Sequence, residues 1–363
     1  NFTSATNVYN TAVGYHAGNA VTTGTQNTLI GGLAGDAITT GASNVALGKQ
    51  ALSANITGSF NTATGFESMF ANTASNNTAY GATSLRTNTS GVANTALGQS
   101  TLYDNTSGGY NTAVGFLALN NNTTASYNTA VGANALDANT TGASNVAMGL
   151  NALGSNTTAS YNTAVGGSAL ALNTTGASLT AVGYAALDTN TTGDSNTAIG
   201  ESALGANTTA SNNTAVGVSA LLANTTGSSL VAVGTGALQA NTTAVANVAV
   251  GVNALEVNTT GDLNIGIGQN SLSSNTVGDR SIAIGHNTLQ AQNPSSNTDM
   301  YNVAIGLNSQ FNTTTGVNNT SVGGLSLDAN TTASNNTAVG YSALGANTTG
   351  IQNVSVGASS LTA

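Results

Sequence analysis

The sequence predicts an all-β chain, a parallel β-solenoid or β-roll of about 21 coils forming one domain over 1–363, and three observations predict it. The phrase Asn128-Thr129-Ala130-Val131-Gly132, then Ala135-Leu136, then Asn139-Thr140-Thr141-Gly142, recurs along the whole chain. Counted by the glycine that closes its first box, from Gly14 to Gly357, it appears 21 times, in steps of 17 residues with one of 16 and one of 21. A strict short period marks a repeat in which each copy rests on its neighbour. The first box alternates apolar and small residues over four positions, as a short strand does. No segment carries a 3.6-residue apolar stripe between successive turn signals, so helix is disfavoured.

Each element of the coil has its own reason. Val303 and Ile305 of the box Asn302–Gly306 share one face of a strand while Ala304 points to the other. The middle position is Ala except at Leu29, Gly266, Ser321 and Ser355. One face of the sheet is therefore a ladder of methyl groups, expected to be flat, exposed and available for lateral packing through Ala46, Ala113, Ala130, Ala147 and Ala164.

Four residues past the glycine, Leu stands in 17 of the 21 copies, Met69 replaces it once, and Gly18, Gly35 and Gln310 interrupt the row. A Leu row fills the interior of a narrow coil, each side chain contributing about 1.5–3 kcal/mol. The coils at Gly18 and Gly35 lack that filling and are expected to be the loosest. In the second box, Asn and Gly tolerate positive φ and should form the corners, while stacked Asn side chains should bond amide to amide. At strand spacing, 21 coils predict a rod of roughly 100 Å. The long step between Gly285 and Gly306 contains the only proline, Pro294, and predicts a small loop over 290–301, either a recognition loop or a tolerated insertion.

Composition excludes several functions. Charged residues make up 4 %, the net charge is −9, and Lys49, Arg86 and Arg280 are the only Lys and Arg side chains. That is opposite to the footprint of a nucleic-acid binder, and anionic membrane surfaces are equally poor partners. There is no cysteine and no apolar run long enough to span a bilayer. His16 and His286 lie in distant coils, and the acidic residues are scattered with neither metal-ligand nor paired-carboxylate spacing. The reading is of a protein that is not an enzyme, with no cofactor and no metal.

Asn-Thr-Thr boxes create glycosylation sequons by construction, giving Asn139, Asn156, Asn173, Asn190 and Asn207 as candidate acceptors. The two termini meet at nearly matching phase, so end-to-end stacking through Asn1, Phe2, Leu361 and Ala363 is a second expected mode of assembly. Repeated Thr could also match a crystal lattice, as in an ice-binding solenoid, but Thr140 and Thr141 are adjacent where a paired row needs alternation.

The boxes Ser43–Gly48, Ser144–Gly149 and Tyr301–Gly306 resemble the head repeats of YadA-like trimeric autotransporter adhesins. The resemblance implies a left-handed parallel β-roll, three chains side by side, and binding to host surface or matrix. The full phrase is also similar to repeats in phage-type tail-fibre proteins with a self-cleaving C-terminal chaperone. What these imply is an extracellular or cell-surface structural and adhesive fibre, a homo-oligomer, with a virus or phage fibre shaft as the alternative.

Overall fold

In the computed structural model, residues 8–361 are described, and they form an all-β parallel β-solenoid of about 20 turns with a 17-residue repeat and no helix. The contacts divide the chain into two compact units, one ending at Leu179 and the other beginning at Thr180.

The first unit stacks ten three-residue strands, from Thr11–Val13 to Thr163–Val165, each parallel to the next. Register is one coil per step: Thr129 faces Val146, Ala130 faces Ala147 and Val131 faces Met148. The second unit repeats this with eleven strands, from Thr180–Val182 to Val354–Val356. It adds a two-residue pair, Gly278–Asp279 with Thr298–Asp299, at the foot of the insertion. Asn293, Ser295, Ser296 and Asn297 of that insertion are exposed, whereas Gln292, Pro294 and Met300 are buried.

The interior of each coil holds few side chains. Leu136, Ala130, Ala135, Asn128 and Asn139 are all fully buried, and the same positions are buried in coil after coil. Two ladders of asparagine satisfy the polar groups enclosed there. The Asn139 amide donates to Asn122 Oδ1 and to Gly142 O, each at 3.0 Å, and its own Oδ1 accepts from Asn156 Nδ2 at 2.9 Å. The Asn128 amide donates to the same Gly142 O at 2.9 Å, and its Oδ1 accepts the Asn145 N–H at 2.9 Å. The expected amide-to-amide bonding is present, and it ties the two ends of a coil together as well as one coil to the next.

The interior at Gly18 and Gly35 differs from the expected loose coils. Leu29 replaces the usual small strand residue, Val21 and Ile38 replace the second-box Asn, and all three are buried. A Cβ at Gly18 or at Gly35 would come within 2.8 Å of a Leu29 methyl group. The filling has moved to other positions of the coil, and glycine is what makes room for it. At the other break, Gln310 is enclosed and its amide donates to Val303 O and Ser321 Oγ at 3.1 and 3.0 Å.

The corners also differ from expectation. Closing glycines such as Gly132 have φ near +136°, but Asn139 is not in the left-handed region; Tyr127, Asn134 and Leu136 are, at φ 62°, 55° and 52°. Non-glycine residues in this region cost about 1–2 kcal/mol each. They persist because stacking holds them: the N–H of Asn134 donates to Phe116 O at 2.9 Å and that of Leu136 to Ala152 O at 3.0 Å. The closing glycine is required on two counts, since a Cβ on Gly132 would run into the Gly149 carbonyl as well as strain the backbone.

Gly132→Ala should therefore lower stability by about 2–4 kcal/mol. Leu136→Ala should lower it by a similar 2–5 kcal/mol through the cavity it leaves. Denaturant unfolding followed by circular dichroism checks both, with Ala133→Ser, at a half-buried position, expected to stay within about 0.5 kcal/mol of the parent.

Candidate assembly face

From Tyr127 to Ala133 the chain alternates between outside and inside. Asn128 and Ala130 are buried, whereas Tyr127 is 63 % exposed and Thr129, Val131 and Ala133 are half-buried. Stacking turns this alternation into four outward columns along each unit. Two central columns carry Thr or Val and then Val, Ile, Leu or Met. They are flanked by one edge column at the residue before the first-box Asn and another at the residue after the closing glycine.

The alanine ladder is not on this face. Ala46, Ala113, Ala130, Ala147 and Ala164 are 0 % exposed, so they cannot pack against another chain. The reason is volume: each lies inside the coil, beside a Leu four residues past the glycine. The one place where a large residue takes the alanine position, Leu29, is also where Leu gives way to Gly18 and Gly35. What faces outward is the bulkier side of the strand.

The edge columns concentrate the aromatic residues. Every tyrosine except Tyr103 is among the exposed residues, and all of these are on the outward columns. In three coils both edges are aromatic: Tyr9 with Tyr15, Phe60 with Phe66, and Tyr110 with Phe116. Seven residues, hence six steps, across and ten strands along, the outward face of the first unit measures about 20 Å by about 48 Å, or about 950 Å². A stable interface needs roughly 800 Å² from each partner. Charge is nearly absent from the outward columns, where only Lys49, Glu201 and Arg280 occur besides His286. Charge is no scarcer here than in the chain as a whole, at 4 %, so it is the enrichment of Tyr and Phe that matches interface cores.

The three cations are all engaged by rings. The Lys49 ammonium lies 5.9 Å from the centre of Phe66, and Arg280 lies 5.8 Å from Tyr301 and pairs with Asp299. Arg86 sits between Phe70 and Tyr103, at 5.2 and 5.7 Å, and its Nε donates to Glu67 at 2.6 Å. That bond to Glu67 raises the Arg86 pKa above its ordinary value. It joins the coil that follows Gly65 to the one that follows Gly81, across the 16-residue step.

The remaining predicted sites resolve as follows. Asn139, Asn156, Asn173, Asn190 and Asn207 are all fully buried. Their amides belong to the ladders, so a glycan cannot be carried there in this fold, which corrects the sequon reading. Leu361 is exposed and lines a recess of about 290 Å³ with Leu344, Asn347, Thr349, Gly350 and Asn353. Asn1, Phe2 and Ala363 lie outside the described residues. Thr140 Oγ1 donates to Thr157 O at 3.0 Å, so that hydroxyl serves the stack. Among the described residues no group of three or more His, Asp or Glu is placed to hold a metal, and no helix is long and apolar enough to cross a membrane. Comparison with family models and with curated proteins finds no match for this chain.

Burial pushes the carboxyls of Asp137, Asp188 and Asp328 above the usual carboxylate range, backbone N–H groups opposing the shift at the latter two. A folded-state pKa raised above the unfolded value gives stability that is present below the ordinary carboxylate pKa of about 3.9 and is lost as pH rises through the raised value. Acidification from pH 7 towards this range should raise the thermal midpoint. Asp137→Asn should raise the midpoint at pH 7 and weaken its pH dependence, as a calorimetric series from pH 4 to pH 8 would show.

Proposed function

We propose that this chain is a non-enzymatic structural and adhesive fibre protein, acting outside the cell or at its surface, whose solenoid units assemble side by side through the outward strand face. The observation that carries the reading is the outward strand face, in which a column of Val, Ile, Leu, Met and Tyr runs beside a Thr-rich column between edges that carry Tyr and Phe, the whole being larger in one unit than a stable interface requires. Left open to water, such a face is an aggregation liability. The partner is a second copy of the same chain, as in the adhesin heads and tail fibres that the repeat resembles, and a host surface or matrix is the external target the resemblance supplies.

Copies running in the same direction and in register would set the aromatic edge of one against the aromatic edge of the next, at Tyr9/Tyr15, Phe60/Phe66 and Tyr110/Phe116. A slip of one coil would put the first two pairs against Gln26 and Gly32, or Asn76 and Ala82, while Phe116 would meet Tyr127 and Tyr110 would meet Ala133. The column of near-identical aliphatic residues does not select register by itself, so these rings are the features that do.

Sedimentation velocity tests the proposal. The parent chain should sediment as an oligomer, and Val131→Asp combined with Val165→Asp should yield a monomer with an unchanged circular dichroism spectrum, because both side chains lie outside the coil. A parent chain that is monomeric at micromolar concentration contradicts the reading. Thermal hysteresis in such a monomer would favour a lattice-binding face built on the outward Thr column.

A further inference from the structure

The edge column before the first-box Asn contains one place where tyrosines occupy adjacent coils, Tyr110 and Tyr127. Their rings stack with centroids 5.3 Å apart and planes 8° from parallel. Both are more than half exposed, at 57 % and 63 %, and neither hydroxyl has a hydrogen-bond partner among the described residues. Each ring is held from below: Tyr110 N donates to Val92 O at 2.9 Å and Tyr127 N to Gly109 O at 3.2 Å, both residues having left-handed backbone that the stack enforces. Two phenols are thus kept face to face by backbone geometry, on a chain with no cysteine and hence no disulfide to link its coils.

We infer that Tyr110 and Tyr127 form an oxidative cross-linking site, at which one-electron oxidation joins the two rings as dityrosine. The oxidant class is hydrogen peroxide acting through a haem peroxidase. Each phenol gives up one electron and one proton, and the peroxide takes up two of each to leave as two waters. The paired phenoxyl radicals couple through the ring carbons ortho to oxygen. The carbon–carbon bond forms, and each ring carbon then passes its proton to the phenoxyl oxygen, restoring both aromatic rings and both hydroxyls. The net change is the loss of two hydrogens. The stack holds the two rings 5.3 Å apart on neighbouring coils, so rotation about the side-chain bonds is enough to bring two ortho carbons together, at a high effective concentration set by the fold. The bond would close a 17-residue loop between neighbouring coils, the role a disulfide would have in a chain that possessed one.

The test treats the folded chain with limiting hydrogen peroxide and a haem peroxidase, using an equal mixture of isotopically light and heavy chains. Proteolysis and mass spectrometry should show a principal linked product containing residues 110 and 127, two hydrogens lighter than its parts and with no light–heavy hybrid. Dityrosine fluorescence should fall at least fivefold in Tyr127→Phe and stay at the parent level in Tyr161→Phe, whose ring is two coils away. A principal product joining other tyrosines, a light–heavy hybrid as the main link, or unchanged fluorescence in Tyr127→Phe would overturn the assignment.

Discussion

The buried asparagine ladders are the interaction on which the rest of the structure depends. A coil of 17 residues encloses too little volume for a conventional core, and closing it leaves backbone carbonyls such as Gly142 O inside. Asn128 and Asn139 both donate to that carbonyl, and each is bonded to the equivalent Asn of an adjoining coil. A buried carbonyl without a partner would cost about 1–3 kcal/mol, whereas a satisfied one contributes modestly. The amides therefore decide whether a coil can close, and the Leu row decides how firmly. With Asn, Leu and Ala occupying the interior, the larger strand residues have nowhere to go but outward, and the exposed band follows from that crowding.

The same constraint accounts for the unusual backbone. A chain that turns within four residues of Gly132 and still presents Leu136 to the interior must place non-glycine residues in the left-handed region. In an isolated segment that geometry would be disfavoured. In the stack, strained residues such as Asn134 and Leu136 have their N–H bonded to an adjacent coil, so the strain is shared by a cooperative array. Departures from the repeat show how tightly the parts are coupled. Leu29 requires Gly18 and Gly35, and in the insertion Gln292 takes the place of Asn and extends the ladder by donating to Asn275 Oδ1 at 3.3 Å.

Much of the fold was legible in the sequence because a period is a statement about stacking, and stacking fixes register. The Leu row, the amide ladder and the three-residue strands all follow from the spacing of Leu136, Asn139 and Thr129–Val131. Two things were not legible. Alternation separates two faces of a strand without saying which is inside, and the usual rule that the bulkier face is buried fails because Leu136 fills the interior from another part of the coil. The sequons at Asn139 and its equivalents misled for a related reason: Asn is also the residue that can donate and accept inside a ladder. The left-handed backbone at Leu136 had no signal, since Leu is a poor candidate for positive φ and only the neighbouring coils enforce it.

The most direct test of this account asks which side of the strand faces inward. The chain has no cysteine, so single cysteines at Ala130 and Val131 report on two adjacent positions of one strand. With a charged, water-soluble thiol reagent applied at high dilution, Val131→Cys should react within a few-fold of a free thiol. Ala130→Cys should be protected by at least a hundredfold until the chain is unfolded. Equal reactivity at the two positions, or protection of Val131→Cys alone, would contradict the buried alanine row and with it the outward aliphatic face.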